Sequence, residues 1–152
     1  MRKALQVKPL ENGTVIDHIQ AGRAGKVSRI LGLENFFNMW IMACNLDSKA
    51  IEKKDMIKIE GRELSSQESN LIALVAPNAT ISIIKEGEVV EKRKVVLPAS
   101  VHNFIICPNP NCITNIEDVN TNFKVDKGDH GIEVECCFCE KKYLIDGVKI
   151  RT

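Results

Sequence analysis

The sequence has 152 residues, enough for one domain or two small ones, and its 44% hydrophobic and 27% charged residues are typical of a globular protein. Its 21 basic and 20 acidic residues give a net charge of +1, which excludes a whole-molecule field that would attract nucleic acid or a membrane. We identify no signal peptide and no apolar run long enough to span a bilayer, so we expect a cytoplasmic protein.

The first part of the chain predicts strands and helices in alternation. "GTVIDHI" is rich in β-branched residues and favours a strand. The following segment predicts a helix that Gly32 ends, because apolar residues recur at helical spacing at Ala24, Val27, Ile30 and Leu31. The dense apolar run "FFNMWIMACNL" predicts a central strand, in which Cys44 would be a small core residue.

Three strands and a second helix follow. "DMIKIEG" alternates, with Ile57 and Ile59 on one side. Ser65 and Glu68 form a predicted capping box for a helix whose buried stripe is Leu71, Leu74 and Val75. "ATISIIK" and "EVVEKRKVVL" predict a hairpin across Glu86-Gly87. This order predicts a ferredoxin-like α+β sandwich over residues 1–98, with two helices on one face of a mostly antiparallel sheet.

A second domain is predicted over residues 99–152. Pro98 closes the last strand, and five of the six cysteines lie beyond it. A piece this small buries too little surface to fold without a staple, so we expect an all-β domain built around a metal. Its core is predicted to come from four aromatic residues, Phe104, Phe123, Phe138 and Tyr143.

The spacing of the cysteines predicts the metal site that would stabilise this domain. Cys107 and Cys112 are spaced C-x4-C, Cys136 and Cys139 are spaced C-x2-C, and 23 residues separate the pairs. Two short loops with two thiolates each predict one tetrahedral, structural Zn²⁺ per chain, with no open coordination position. The alternatives are two disulfides or free buried thiols. Cys137 is interpreted as a spare thiol, with replacement of Cys136 as the alternative.

Charged residues on the predicted strands raise a second question. Strand alternation would put Asp17 on one face with Val15 and Ile19, and His18 on the other face with Ile16. From the residues alone, Asp17 is better explained as a strand-end carboxylate bonded to backbone. Three lysines, Lys58, Lys92 and Lys94, could converge on a triphosphate or form a solvated edge. No glycine-rich phosphate loop and no catalytic motif occurs, so we do not expect an enzyme.

Taken together, the motifs resemble one family. "GTVIDHI", "KKDMIKIE", "LIALVAPNAT", "VVEKRKVVLP", "CPNPNCITN" and "CCFCEKKY" occur in the order found in the regulatory chain of aspartate carbamoyltransferase, an enzyme of pyrimidine biosynthesis. The resemblance runs from about Leu5 to the C-terminus. It implies a non-catalytic chain whose first domain binds CTP and ATP allosterically and whose zinc domain docks on the catalytic chain. It also implies that two regulatory chains pair through their first domains.

The resemblance also implies roles for particular residues. Asp17 and Lys58 match positions near the ribose and base, Lys92 and Lys94 match phosphate positions, and His18 matches a position in the same site. Base recognition is implied at Leu10 and Gly87 through backbone groups, and Ser82 stands where relatives can carry Asn. The implied contacts with the catalytic chain are Asn109, Asn111 and Lys141.

An alternative function is a zinc-ribbon module that binds nucleic acid, which Lys141 and Lys142 beside the metal loop would suit. Acidic residues of the second domain offset its lysines, and phosphate-led binding needs a clear positive patch. We therefore expect neither nucleic-acid nor membrane binding.

Overall fold

The computed structural model describes residues 9–49 and 52–151. Residues 1–8, which belong to the N-terminal stretch in which no signal peptide is predicted, lie outside the described residues. The chain divides into two compact units between Val96 and Leu97, near the boundary at residue 98 that the sequence predicts. No helix in the described ranges has the length and hydropathy needed to cross a membrane.

Within its described residues, the first unit holds five strands and two helices. Its strands are β1 (Gly13–Gln20), β2 (Trp40–Asp47), β3 (Lys53–Glu60), β4 (Thr80–Lys85) and β5 (Glu88–Lys94). Its helices are α1 (Ala24–Ile30), which a short 3-10 turn at Leu33–Asn35 follows, and α2 (Ser66–Val75). The strands pair antiparallel in the order β2-β3-β1-β4-β5.

The core of this unit lies between the sheet and the helices. Ile16 of β1 sits directly opposite Ile57 of β3 and Ile81 of β4, and all three side chains are fully buried. Helix α1 packs against α2 and β3, and it buries Ala24 and Val27. The predicted sandwich is therefore confirmed, because the sheet is antiparallel and the helices and strands follow one another along the chain as expected.

A β-bulge in β1 makes the predicted alternation wrong beyond Ile16. Ile16 pairs with Ile57, but Ile19 pairs with Asp55, so three steps along β1 match two along β3. His18 accommodates the extra residue with a φ of 57°. As a result Ile19 is fully buried on the same face as Ile16, and Asp17 does not share a face with Ile19.

Strand β2 lies at one edge of the sheet, so the predicted central position is wrong. Met42 keeps 41% of its surface exposed, and Phe37 just before the strand is fully exposed. Cys44 is also exposed and is not the core residue that the apolar run predicts. Apolar content cannot distinguish a strand buried by its own chain from one left open to a partner.

The local signals at α2 and at the β4–β5 turn are confirmed. The Ser65 hydroxyl accepts from the Glu68 N–H and the Glu68 carboxylate accepts from the Ser65 N–H, which forms the capping box. The buried stripe includes Ile72 instead of Leu71. The hairpin turns at Glu86 and Gly87, both with positive φ.

The second unit is small and mainly β. Its strands are β6 (Ser100–His102), β7 (Ile105–Ile106), β8 (Asn122–Gly128), β9 (Gly131–Cys136), β10 (Lys142–Leu144) and β11 (Lys149–Ile150), with one helical turn, α3 (Ile113–Ile116), and a 3-10 turn at Ile145–Gly147. A four-stranded sheet has the order β10-β9-β8-β6, and β11 pairs with β7. The predicted two-part α+β fold is confirmed.

The aromatic core predicted for this unit is half right. Phe123 is fully buried and Phe104 nearly so, but Phe138 is 45% exposed and Tyr143 is half-buried. Aliphatic side chains of β9 complete the core, since Ile132 and Val134 point inward. Phe138 lies between two cysteines on a tight turn, where the backbone presents its side chain to solvent.

Candidate functional site

Four cysteines of the second unit meet at one point. Cys107 and Cys112 bracket the loop between β7 and α3, Cys136 ends β9, and Cys139 lies in the turn before β10. The four Sγ atoms lie within 4.8 Å of one another, and Cys107–Cys139 and Cys112–Cys136 are both 3.7 Å apart. In a tetrahedral site with metal–sulfur bonds of about 2.3 Å, the sulfurs are about 3.8 Å apart. The cluster can therefore hold a tetrahedral metal ion.

Backbone hydrogen bonds shape the loop of the second pair. The Glu140 N–H donates to the Cys136 carbonyl at 2.8 Å, and the Cys136 N–H donates to the Lys141 carbonyl at 3.0 Å. Glu140 adopts a φ of 62°, which reverses the chain after Cys139 and brings Lys141 back beside Cys136. Cys137 is exposed and lies outside the cluster, with its N–H on the Asn122 carbonyl.

The four thiols differ in acidity. Burial raises the pKa of Cys107 to about 12, and the neighbouring Cys139 thiol adds to the rise. Burial pushes the pKa of Cys139 the same way, but the Lys141 N–H, the Asn109 side chain and the nearby thiols lower it to about 7. Donors around a sulfur favour the thiolate, which is the form that binds metal.

Sequence reasoning missed Thr114, which contacts a metal-site sulfur. Burial raises the pKa of Cys112, but hydrogen bonds from Thr114 outweigh it and leave that pKa below its usual range. The Thr114 hydroxyl donates to Cys112 Sγ at 3.2 Å. A hydroxyl residue two positions after a cysteine at the start of a helical turn is the signal that could have identified it.

The first unit presents charged side chains on the face of its sheet opposite the helices, which we call the open face. Val15 lies between Lys58 of β3 and Ser82 of β4, and Ser82 lies opposite Lys92 of β5. In the next row Asp17 lies opposite Thr80, and Thr80 lies opposite Lys94. Residues directly opposite one another share a face. Five predicted nucleotide contacts therefore lie together on the open face: Asp17, Lys58, Ser82, Lys92 and Lys94.

The bulge in β1 shapes the centre of the open face. The Asp17 carboxylate accepts a hydrogen bond from the His18 N–H at 2.7 Å and forms an ion pair with Lys54 at 2.9 Å. His18 Nδ1 lies 3.0 Å from the Thr80 hydroxyl. Lys54 was missed by sequence reasoning, although alternation along "KKDMIKIE" places it on the same side as Lys58. Burial lowers the pKa of Lys58, and the nearby Asp17 carboxylate opposes that shift.

Gly87 lies in the β4–β5 turn, which contacts the segment that follows Leu10. The Gly87 N–H donates to the Glu11 carbonyl at 2.8 Å, and the Glu86 N–H donates to the Asn12 side chain at 3.2 Å. These bonds hold the segment after Leu10, which is 8% exposed, against the turn. The segment beside Leu10 and the turn at Gly87 therefore lie together at one end of the sheet.

The predicted partner contacts lie on the metal loops. Asn111 and Lys141 are exposed, and Asn109 is half-buried. Asn109 and Asn111 belong to the Cys107–Cys112 loop, and Lys141 follows Cys139 by two residues. The cysteine cluster thus organises the segments that carry all three side chains.

Comparison with known proteins identifies the family of both units. The family profile described as the regulatory chain of aspartate carbamoyltransferase, allosteric domain, matches residues 5–96, and the metal binding domain of the same chain matches residues 99–149. The chain belongs to the aspartate carbamoyltransferase regulatory chain family. Relatives with that name include proteins of Methanococcus maripaludis strain S2, 47% identical over 93% of this chain and 94% of the relative, and of Pyrococcus horikoshii, 47% identical over 90% and 91%. A third, from Methanospirillum hungatei, is 48% identical over 91% of this chain and 88% of the relative.

The resemblance seen in the motifs is thereby confirmed. The aspartate carbamoyltransferase regulatory chain is a non-catalytic subunit with an allosteric and a metal-binding domain. The allosteric profile covers the sheet that carries the open face, and the metal-binding profile covers all four clustered cysteines.

Proposed function

We propose that this regulatory chain binds CTP and ATP on the open face of its first unit and docks on the catalytic chain through its second unit, which a structural Zn²⁺ holds together. The observation that carries the nucleotide proposal is the convergence of Asp17, Lys58 and Lys92 on one sheet face. Lysines supply close-range positive charge for phosphates, and a carboxylate can accept from ribose hydroxyls.

Zinc suits the cysteine cluster on chemical grounds. Four thiolates in tetrahedral arrangement are the donor set that Zn²⁺ takes in closed structural sites, and hard cations such as Mg²⁺ avoid them. The cluster leaves no coordination position for substrate. The ion would therefore supply folding energy to a unit with a small core, and it would supply no catalysis.

A pair of regulatory chains would form through the first unit. Strand β2 leaves its outer edge open among the described residues, and it carries exposed apolar side chains such as Met42. Open edges of this kind pair readily with a second copy of the same strand. We propose β2 as the place where two regulatory chains meet.

The mechanism is a shift of equilibrium and involves no chemistry on this chain. CTP inhibits the enzyme if it binds the low-activity arrangement better than the high-activity one, and ATP activates it by the opposite preference. A coupling of about 1–3 kcal/mol between effector and catalytic partner is normal for such linkage. Asn109, Asn111 and Lys141 would carry that bias to the catalytic chain.

The test is calorimetric titration of the zinc-loaded chain with CTP and ATP. We expect binding of both nucleotides to the wild type, a weaker affinity in Lys92→Met and an unchanged affinity in Lys127→Met. Lys127 is an exposed lysine of the second unit and serves as the matched control. Absence of binding heat with folded, metal-loaded protein would refute the nucleotide proposal.

Nucleic-acid binding by the second unit is not expected. Lys124 of β8 and Lys142 of β10 both lie directly opposite Glu135 of β9, so acidic charge interrupts the row of lysines. A phosphate-binding surface needs uninterrupted positive charge and produces steep salt dependence.

A further inference from the structure

The Cys107–Cys112 loop depends on a side chain outside it. Pro108 and Pro110 have no N–H, so the loop has few donors with which to satisfy its own carbonyls. The side-chain amide of Asn115, in α3, supplies two. It donates to the Cys107 carbonyl at 2.9 Å and to the Asn109 carbonyl at 2.7 Å.

The remaining bonds of the loop converge on Asn109. Its carbonyl also accepts the Cys112 N–H at 3.0 Å, and its side-chain oxygen accepts the Asn111 N–H at 3.1 Å. The orientation of Asn111 therefore follows from that of Asn109, and Asn115 holds Asn109. Both bonds of Asn115 go to carbonyl oxygens, whereas Asn109 also donates to two sulfurs, to Cys139 from its side chain and to Cys107 from its backbone.

Thr114, the neighbour of Asn115 in the same helical turn, has a separate contact. Its hydroxyl donates to Cys112 Sγ at 3.2 Å, and its backbone also hydrogen-bonds that sulfur. Groups that hydrogen-bond metal ligands usually govern metal affinity. Of these two adjacent residues of α3, Asn115 thus contacts the loop backbone and Thr114 contacts a sulfur of the metal site.

We propose that Asn115 is a positioning residue of the docking surface. It holds the shape of the Cys107–Cys112 loop and so presents Asn109 and Asn111 to the catalytic chain, whereas Thr114 retains the metal. This inference rests on the proposed docking function. It assigns docking geometry and metal retention to two neighbouring side chains, which can be changed one at a time.

The experiment compares Asn115→Ala, Asn115→Asp and Thr114→Val in the full, zinc-loaded chain. Two quantities are measured: affinity for the catalytic chain of aspartate carbamoyltransferase, and the rate of zinc loss to a chelator. We expect Asn115→Ala to weaken docking at least about tenfold, since two hydrogen bonds to the loop are lost, and to speed zinc loss less than Thr114→Val does, since Asn115 reaches the sulfurs only through Asn109. We expect Thr114→Val to lose zinc about tenfold faster and to dock normally while loaded.

Asn115→Asp tests the same point without changing side-chain size. Its carboxylate would face two carbonyl oxygens that need donors, so docking should weaken at least as much as in Asn115→Ala. Amide hydrogen exchange supplies a measurement without the partner. Exchange at Asn111 and Cys112 should accelerate in both Asn115 variants and stay unchanged in Thr114→Val.

Two outcomes would overturn the inference alone. One is an Asn115→Ala chain that docks as tightly as a wild type that does bind. The other is an Asn115→Ala chain whose docking loss disappears at saturating zinc, because Asn115 would then act only through the metal. A wild-type chain that fails to bind the catalytic chain would instead overturn the proposed docking function, and with it the docking role of Asn115.

Discussion

At the scale of single residues, Asp55 explains why simple alternation fails in this sheet. Its side chain is fully buried and accepts three backbone N–H groups, from Gly22 at 3.0 Å, Ala24 at 3.2 Å and Asn45 at 2.9 Å. Asn45 belongs to a second bulge, in β2, where it has a φ of 59°. The sequence shows a strand with an acidic residue in it. It does not show which backbone donors of distant segments that carboxylate will satisfy.

Replacing Asp55 by Asn should lower the free energy of unfolding of the first unit by about 1–3 kcal/mol. The side-chain NH2 of the new Asn would face at least one of the three backbone N–H groups. That backbone N–H would then be buried without an acceptor. Urea unfolding followed by the emission of Trp40, the single tryptophan, measures this. Asp47→Asn is the control, because Asp47 forms only an exposed pair with Lys53, and it should unfold like the wild type. Equal stability of Asp55→Asn and the control would contradict the structural role given to Asp55.

Lys58 should make nucleotide affinity depend on pH in the alkaline range. Burial lowers its pKa from the usual 10.5, so the free chain loses this charge at lower pH than an exposed lysine would. A bound nucleotide that accepts from the ammonium keeps it protonated. The complex then holds more protons than the free chain, and affinity falls as pH rises through the pKa of Lys58. Calorimetric titrations across that range should show the fall in the wild type and a flatter profile in Lys58→Arg, which stays charged. Identical profiles would exclude Lys58 from the site.

At the scale of elements, the sequence predicts whether a segment is a helix or a strand, and the order of these elements along the chain, better than it predicts where each strand lies in the sheet. Caps and turns are local, so the capping box of Ser65 and Glu68 and the turn at Gly87 could be identified from residues alone. The position of β2 is not local. Its apolar run satisfies the pattern of a buried strand, yet it lies at the edge, where a second molecule has to provide the missing neighbour.

This interpretation of β2 predicts that Met42→Lys will dissociate the pair of regulatory chains. A lysine at the centre of a strand-to-strand contact adds a charge that pairing would desolvate. Sedimentation equilibrium should show a dimer dissociation constant at least about tenfold higher than in the wild type. Val90→Lys, at a position 56% exposed on the opposite edge strand β5, should leave the constant unchanged. If both variants dimerise alike, β2 is not the interface.

At the scale of the whole molecule, the two units differ in how much of their structure the sequence reveals. The four clustered cysteines could be predicted, because their spacing on two tight loops is a local pattern, whereas the Thr114 contact with Cys112 was missed. The open face could not be predicted, since Lys58 and Lys92 lie on strands that meet only through β1 and β4. The residues alone favoured a strand-end carboxylate bonded to backbone as the explanation for Asp17. Only the resemblance to a family suggested that Asp17 belongs to a nucleotide site.

Removing the metal should separate the two units in function. The second unit has a small core, so its folding depends on the ion that joins the Cys107–Cys112 loop to Cys136 and Cys139. The first unit has its own core of fully buried isoleucines and contains no member of the cysteine cluster. After a thiol-reactive agent and a chelator strip the full chain, limited proteolysis should cut the second unit, while Trp40 emission stays native. Nucleotide binding should survive and docking on the catalytic chain should be lost, and docking should return once excess thiol has removed the agent and zinc is added back. The core of the first unit predicts that it stays folded without the metal. Loss of nucleotide binding together with docking would contradict this and would mean that the first unit also depends on the metal.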